Sequence, residues 1–252
     1  MFDEIKRLLH SFIRRTGYDI HRIYDPVQYF HTDFYLRHNA RRLEHLASLG
    51  IPVAGMSVLE VGAGIGDHSH YYIDRKCSVT ITEVREESLR YLEKRYPDNR
   101  VMLLNMESPS DIEGSPFDVI HCYGLLYHLG NPQQALEFLS QNTTGILFLE
   151  TRVSFGEDRE INLAEEEKSE PHQAHSGTGC WPTRPWVFEE LQRLFNYVYI
   201  PKTQPHHEEF PLDWTDAEKH EAYCQRAIFI AAHEPLENEQ LTTSLVLHQT
   251  RH

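Results

Sequence analysis

Short apolar runs alternate with amphipathic stretches along the middle of the chain, and this alternation limits the possible folds more than any other feature. The apolar runs are 57–61, 78–83, 101–105, 117–123 and 145–150. The stretches between them fit crossover helices, and the clearest of these begins with Asn131 as N-cap and Pro132 at the first helical position. Strands that alternate with helices form a parallel sheet covered by helices on both faces. The sequence therefore predicts an α/β fold.

The chain before this region is predicted to be helical. Apolar residues recur at helical spacing over 2–13, and a second helix can begin near Thr32 and end before Gly50. We therefore interpret residues 1–50 as an N-terminal helical extension, placed before a main domain that spans 51–235.

The pattern changes again after the fifth apolar run. Residues 151–185 are polar and too long for a passive connector, so we interpret them as a functional insertion that forms a lid. A helix resumes over 186–195, and two further strands follow at 197–200 and 225–232. We expect these strands to be an antiparallel edge pair, which makes a seven-stranded, mainly parallel sheet with an antiparallel last strand. Residues 236–252 contain little that can pack and are predicted to be a frayed tail.

Charge and composition exclude several classes of protein. The 252 residues include 24 Lys and Arg against 38 Asp and Glu, a formal net charge of −14, so nucleic acid is an unlikely partner. No apolar run approaches the roughly 18 residues of a membrane-spanning helix, and the N-terminus does not resemble a secretory signal. Four scattered cysteines fit neither a disulfide scaffold nor a structural zinc site. We expect a cytoplasmic protein with a small-molecule substrate, and its oligomeric state cannot be predicted.

The segment SVLEVGAGIGDH at 57–68 is the strongest local signal. It places Glu60 within an apolar strand and then Gly62, Gly64 and Gly66 in a turn that leads to a helix. Such glycines allow positive φ and let backbone N–H groups approach a ligand closely. The dinucleotide fingerprint requires a further glycine where this chain has Asp67, so the spacing disfavours NAD and a nucleotide-dependent oxidoreductase.

Two more carboxylates accompany the following strands. Glu83 ends the second strand, and Glu107 follows the third strand beside Met106. The carboxyl ends of parallel strands converge on one crevice, so these acids and Glu60 predict a single nucleoside-shaped site.

At these residues the chain resembles the class I S-adenosylmethionine-dependent methyltransferases, whose first motif is similar to VLEVGAGIG. The resemblance covers roughly 57–150 and implies a Rossmann-like fold with S-adenosylmethionine as cofactor. It implies that Glu60 and the glycine turn hold the methionine end, Glu83 the ribose, and Met106 with Glu107 the adenine. The segment FDVIHCYGLLYHL at 117–129 also resembles the family and would place Tyr123, Gly124 and Leu125 beside the sulfonium. Glu60 and Glu107 are modest departures, because the family often has aspartate at the first acidic position and usually at the third.

Histidines are the candidates for a general base, since a hydroxyl acceptor must lose a proton near neutral pH. His128, just past the fourth strand, is the first candidate, although a packed or capping role is equally compatible with the sequence. The insertion adds His172 and His175, and a second loop adds His207; of these we select His175 and His207 as further catalytic candidates. His121 lies within a strand and is expected to be a core residue.

Substrate contacts are predicted from residues on the same loops. Trp181 offers an aromatic surface, Arg184 a planar cation for an oxyanion, and His206 an imidazole. The run HHEE at 206–209 also brings imidazoles and carboxylates together. Adjacent side chains on an extended chain point in opposite directions, so this run binds an ion poorly without partners elsewhere, and no metal site is predicted.

These features predict a methyltransferase that methylates an oxygen of a small molecule, such as a sugar or a tailored metabolite, with a histidine base. Two alternatives stay open. The segment CYGLLYHLGNP and the helical extension are similar to the wobble-uridine tRNA methyltransferase family, which implies a tRNA-modifying enzyme. The third hypothesis is a protein that binds the cofactor without catalysis.

Overall fold

The fold is taken from a computed structural model that describes residues 13, 15–16, 25–170, 172–218 and 224–252. Within these residues, eight strands form the main sheet, in the spatial order 241–242, 197–201, 226–232, 143–152, 117–123, 57–61, 78–83 and 100–103. The predicted helix over 2–13 lies almost wholly outside the described residues. Among the helices that are described, none combines the length and the apolar character that a bilayer crossing needs.

The described elements alternate as the sequence predicts. The helices are α1 Pro26–Phe30, α2 Asp33–Ser48, α3 Ser69–Ile73, α4 Glu86–Arg95, α5 Pro132–Gln141 and α6 Arg184–Leu194, with a 3₁₀ turn at Leu126–His128. The strands are β1 Ser57–Val61, β2 Ser78–Glu83, β3 Arg100–Leu103, β4 Phe117–Tyr123, β5 Thr143–Arg152, β6 Leu163–Glu165, β7 Thr178–Cys180, β8 Tyr197–Pro201, β9 Thr203–Gln204, β10 Arg226–Ala232, β11 Leu241–Thr242 and β12 Thr250–Arg251.

The first five strands are parallel. Strand β1 lies between β2 and β4, with Glu60 opposite Ile81 on one side and His121 on the other. This arrangement confirms the mainly parallel, Rossmann-like sheet and directs the carboxyl ends of β1, β2 and β4 to the same edge.

The antiparallel part of the sheet differs from the expected edge pair. Strand β10 is antiparallel to both β5 and β8, so the pairing of β8 with β10 is confirmed. However, β10 lies inside the sheet, and β11 pairs antiparallel with β8 on its outer side. The sheet therefore has eight strands rather than seven, because the C-terminal segment adds one.

The core consists of two apolar layers, one on each face of the sheet. Adjacent strand residues divide between them: Val58 packs in one layer and Leu59 in the other, and Val119 and Ile120 divide in the same way. Side chains alternate across a strand, and a parallel sheet is covered on both faces. This is why the strands read as continuous apolar runs in the sequence.

The segments on either side of the main domain pack against it. Helix α2 begins after Thr32, as predicted, and Leu46 on this helix is only 1% exposed. The prediction of a frayed tail is wrong, because Leu241 is buried in β11 and β12 pairs with β9. The outer edge of β8 offers backbone hydrogen-bonding groups with which β11 pairs. The low apolar content of the tail does not indicate this pairing.

Candidate functional site

The glycine turn after β1 forms one wall of a cleft at the carboxyl edge of the sheet. Gly62, Gly64 and Gly66 have φ of 66°, 60° and 79°, values that other residues rarely adopt. A Cβ on Gly66 would lie 2.6 Å from Cε2 of Tyr96, so only glycine allows the turn to pack this closely. Gly62 and Gly64 line the cleft without a side chain, so their backbone can contact a ligand closely.

Glu83 fixes the shape of this turn. Its Oε2 accepts the N–H of Gly64 at 2.9 Å, and its Oε1 accepts the N–H groups of Val84 at 2.8 Å and Arg85 at 3.0 Å. One carboxylate thus ties the loop after β1 to the loop after β2.

The other two predicted acids line the same cleft. Glu60 is 2% exposed and accepts the hydroxyl of Ser69, and burial raises the pKa of Glu60 to about 7. Glu107 accepts the N–H of Gly130 at 2.9 Å and the hydroxyl of Ser176 at 2.7 Å through Oε1. The structure thus brings together Glu60, Glu83 and Glu107, which the sequence analysis placed on a common rim.

The end of β4 completes the predicted cofactor half of the cleft. Tyr123, Gly124 and Leu125 line it together with Met106, which is 4% exposed. The side chain of Arg42 packs against Gly124, where a Cβ would lie 2.9 Å from Nη2. The residues that the sequence analysis assigned to the cofactor therefore line one cleft, except Gly66, which packs against Tyr96 behind the turn.

His128 lies in the wall of this cleft beside a carboxylate from the insertion. Its Nδ1 is 2.6 Å from Oε2 of Glu166, which also accepts the N–H of Ala174 at 2.6 Å. Burial raises the pKa of Glu166, but the bonds from His128 and Ala174 outweigh it and the pKa is lowered overall. An ionised Glu166 is acceptor-only, so Nδ1 of His128 donates and Nε2 is left as an acceptor. Burial holds the pKa of His128 below its usual value, so the imidazole is neutral at pH 7.

The insertion lies across the cleft. Arg85 donates to the carbonyl oxygens of Lys168 and Gln173 at 3.1 Å and 2.9 Å. The ring of His172 stacks on Tyr29 with 4.0 Å between ring centroids, and His175 is exposed at the cleft margin. The contacts join 168–176 to the loop after β2 and to α1.

A buried network of charges forms the far side of the cleft. Glu150, fully buried at the end of β5, pairs with Arg42 and accepts Nη1 of Arg226 at 3.1 Å. Arg226 also donates Nε–H to Oε2 of Glu209 at 2.9 Å and Nη2–H to the hydroxyl of Tyr127 at 3.0 Å. Sequence reasoning missed these residues, although a charged residue at the end of an apolar strand, such as Glu150, is a usable signal.

The predicted substrate contacts do not line the cleft. Trp181 is 37% exposed and lies under the guanidinium of Arg152. Arg184 is buried, donates to the carbonyl oxygen of Val246 at 3.0 Å and covers the ring of Trp214. His206 is exposed and also lies outside the cleft lining. The structure therefore does not bring these three residues together with the cleft, and their substrate role stays a prediction.

Two of the other predicted histidines are buried. His207 is 2% exposed and stacks on His38 with 4.7 Å between centroids, so it does not line the cleft itself. His121 is 1% exposed, and its two ring nitrogens contact Nδ1 of His68 at 3.0 Å and the hydroxyl of Tyr72 at 2.9 Å. His121 is therefore the satisfied core residue that we expected.

The walls of the cleft contain several polar atoms that are buried and unpartnered. Among the described residues, six buried polar atoms in its walls have no hydrogen-bond partner: His38 Nδ1 and Nε2, Arg42 Nε, His68 Nε2, Tyr123 Oη and His172 Nδ1. Buried polar atoms are normally paired, so this cluster indicates that a polar ligand belongs in the cleft.

Comparison with known proteins agrees with this geometry. Residues 59–144 match the family model of a methyltransferase domain. The chain is 25% identical over 194 residues to a tRNA U34 carboxymethyltransferase of Photobacterium profundum, with 73% of this chain and 56% of that protein covered. The chain thus spans about half the length of that curated relative.

Solved structures share the fold. The N-terminal domain of EvdMO1, crystallised with SAH and D-fucose, has a TM-score of 0.58 at 19% identity, covering 81% of this chain and 85% of that one. An S-adenosylmethionine-dependent methyltransferase from Mesorhizobium loti has a TM-score of 0.56 at 14% identity, covering 78% and 99%. The 1,6-didemethyltoxoflavin-N1-methyltransferase of Burkholderia thailandensis, solved with S-adenosylhomocysteine, has a TM-score of 0.52 at 18% identity, covering 91% and 89%. Residues 59–144 therefore match a methyltransferase domain, and the chain shares the fold of S-adenosylmethionine-dependent methyltransferases.

Proposed function

We propose that this protein methylates a hydroxyl oxygen of a small acceptor that carries several hydroxyl groups, such as a sugar. The observation that carries the proposal is the group of unpartnered polar atoms in the cleft, in particular those of His38 and His172. An apolar acceptor would leave such atoms unpaired at a cost of about 1–3 kcal/mol each, whereas a polyol can pair with them. The D-fucose present with the EvdMO1 domain supports the same substrate class.

In this proposal the cofactor residues are those predicted from the sequence. The backbone of Gly62, Gly64 and Gly66 faces the methionine end with Glu60, Glu83 binds the ribose, and Met106 with Glu107 holds the adenine. Bound S-adenosylmethionine supplies a methyl group on a sulfonium sulfur, which leaves as the neutral thioether. The protein contributes mainly by holding the acceptor oxygen in line with that methyl group.

His128 is the proposed base. Its Nδ1–H is held by Glu166, and its Nε2 takes the proton that the acceptor hydroxyl loses. His175 stays a second candidate at the cleft margin, while His207 is buried outside the cleft lining.

Replacing the proposed base tests its role. We expect His128→Gln to lower kcat by about 10²–10⁴-fold, the usual contribution of a general base, while binding of S-adenosylhomocysteine measured by calorimetry is unchanged. Because the pKa of His128 is lowered, wild-type kcat should stay constant from pH 8 to about 6.5 and fall only at lower pH. Exposed His248→Gln is the control. A His128→Gln enzyme with wild-type kcat and pH profile would contradict the assignment.

The substrate class is tested by methyl transfer from ¹⁴C-methyl S-adenosylmethionine to a panel of sugars, including D-fucose, in parallel with total tRNA. We expect label in an O-methyl ether of a hydroxylated small molecule. Label in tRNA alone, or at nitrogen alone, contradicts the proposal. Cofactor binding without transfer to any acceptor favours the non-catalytic hypothesis.

A tRNA-modifying activity is the second candidate, because the curated relative named above is a tRNA U34 carboxymethyltransferase. A net charge of −14 opposes it, since phosphate attraction dominates the affinity for nucleic acid. Tight tRNA binding that weakens steeply with salt would favour this candidate.

The division of the chain also stays a proposal. We propose 1–50 as an N-terminal extension that includes α1 and α2, 51–235 as the methyltransferase domain, and 236–252 as the tail, whose strand β11 joins the main sheet. We infer that 151–185 act as a lid, because Ser176 bonds Glu107 and Arg85 holds 168–173 over the cofactor half of the cleft. Such a lid excludes water from the reaction.

A further inference from the structure

Three buried side chains lie close together beside the cleft. His38 comes from α2, while His207 and Glu209 come from the loop after β9. One potential metal-binding atom from each of the three residues lies within 4.8 Å of the other two. Among the described residues, this is the group of at least three His, Cys, Asp or Glu side chains that could hold a metal ion. His38, His207 and Glu209 are 1%, 2% and 6% exposed, so the group lies inside the protein and is not a chance surface cluster.

The imidazoles of this group lack partners. Neither ring nitrogen of His38 makes a hydrogen bond, although Nε2 lies 3.3 Å from Oε2 of Glu209. Nε2 of His207 also has no partner, and its Nδ1 makes one long contact, 3.3 Å from the backbone nitrogen of Glu209. A buried polar atom without a partner costs about 1–3 kcal/mol. Several such atoms around one point indicate that a ligand binds there.

The chemical types of the three side chains indicate which metal ion the group would bind. Two imidazoles and one carboxylate suit Zn²⁺ and related divalent transition ions, whereas Mg²⁺ and Ca²⁺ prefer oxygen donors. Arg226 donates to Oε2 of Glu209 and so orients the carboxylate, as residues behind metal ligands commonly do. The 206–209 run by itself is expected to bind an ion poorly, because adjacent side chains on an extended chain point in opposite directions and a partner from elsewhere is needed. Helix α2 supplies that partner through His38.

We propose that His38, His207 and Glu209 bind one divalent transition-metal ion of the zinc type. Because His38 also lines the cleft, an ion held by these three residues would lie at the wall of the cleft, within reach of an acceptor bound there. An ion there would bind the acceptor hydroxyl and favour loss of its proton, as metal-bound water loses its proton more easily. This last role rests on the proposed methyl transfer to oxygen, whereas ion binding does not.

The buried charges nearby are compatible with such an ion. Arg42 and Arg226 are balanced by Glu150 and Glu209, so the surroundings without an ion carry no net charge. A divalent ion then adds positive charge at the point where the acceptor oxygen becomes negative.

Calorimetric titration of the chelator-treated protein with ZnCl₂ alone tests the proposal. We expect one tight site, weakened roughly 100-fold by His38→Gln and by Glu209→Gln, because each removes a ligand. The matched control is His206→Gln, an exposed imidazole next to His207, and its titration should equal that of the wild type. No tight site in the wild type, or equal titrations for His38→Gln and the wild type, would overturn the proposal.

A second measurement does not depend on folding of the variants. X-ray absorption of the wild-type protein loaded with one equivalent of zinc should show two imidazoles and a carboxylate around the ion. A zinc coordination shell that contains no imidazole, or three or more imidazoles, contradicts the proposed site. Neither experiment contains a methyl donor or acceptor, so a negative result here leaves the proposed methyl transfer standing.

Discussion

Glu83→Gln is expected to weaken the binding of S-adenosylhomocysteine about 100-fold, which corresponds to about 2.7 kcal/mol. The carboxylate accepts three backbone N–H groups, from Gly64, Val84 and Arg85, and thereby fixes the glycine turn against the end of β2. The amide lacks the negative charge and presents a donor where an acceptor is needed. Hydrogen bonds to charged groups contribute about 1.5–3 kcal/mol each, so the loss of one or two accounts for this change.

The measurement is calorimetric titration with S-adenosylhomocysteine, accompanied by circular dichroism to verify folding. Glu93→Gln is the matched control, because Glu93 is an exposed carboxylate on the neighbouring helix α4. If Glu83→Gln binds within threefold of the wild type, the cofactor does not depend on this carboxylate and the proposed ribose contact is wrong.

Glu150→Gln is expected to lower the free energy of unfolding by about 3–5 kcal/mol, the usual cost of breaking a buried ion pair from one side. Glu150 is fully buried and pairs with both Arg42 and Arg226, so its loss as an anion leaves two buried guanidinium groups without their shared carboxylate. Urea unfolding followed by circular dichroism measures the change.

The matched control for this experiment is Glu86→Gln. Glu86 pairs with Arg90 one turn along α4 at 3.3 Å, but both side chains are exposed. Surface pairs of this kind contribute about 0–1 kcal/mol. If the two substitutions have equal effects, the buried network does not contribute to stability as described.

The same network predicts a pH dependence. Burial raises the pKa of Glu150, but Arg42 and Arg226 outweigh it, so the folded pKa lies below the ordinary value of 4.5. A carboxyl group whose pKa is lowered by folding stabilises the protein fully above its unfolded pKa and loses that contribution as the pH falls through the folded value. Wild-type stability should therefore drop below about pH 4.5, and the drop should be smaller in Glu150→Gln.

The three acids and the glycine turn of the cleft could be predicted because each belongs to a single strand or to the turn that follows it. Glu60, Glu83 and Glu107 each lie at or just after the end of a strand, and parallel strands bring their carboxyl ends to one edge. Gly62, Gly64 and Gly66 follow β1 directly. Strand and turn patterns therefore contain both the identity and the location of these residues.

The contact between His38 and Glu209 could not be predicted in the same way. They are 171 positions apart in the sequence, and only the packing of α2 against the loop after β9 brings them within 3.3 Å. The positions of Trp181, Arg184 and His206 outside the cleft lining could not be predicted for the same reason. They belong to loops near the cleft in sequence order, but their side chains turn to Arg152, to the C-terminal segment or to solvent.

The sequence by itself determined the α/β sheet, the glycine turn and the acids at the strand ends, because strand periodicity and turn chemistry are properties of neighbouring residues. The tertiary structure decided which charged and aromatic side chains line the cleft. It also decided that β11 extends the sheet and that His38 completes the group with His207 and Glu209. These outcomes depend on which packing of distant segments gives the folded chain its lowest free energy. That packing cannot be predicted from the pattern of neighbouring residues.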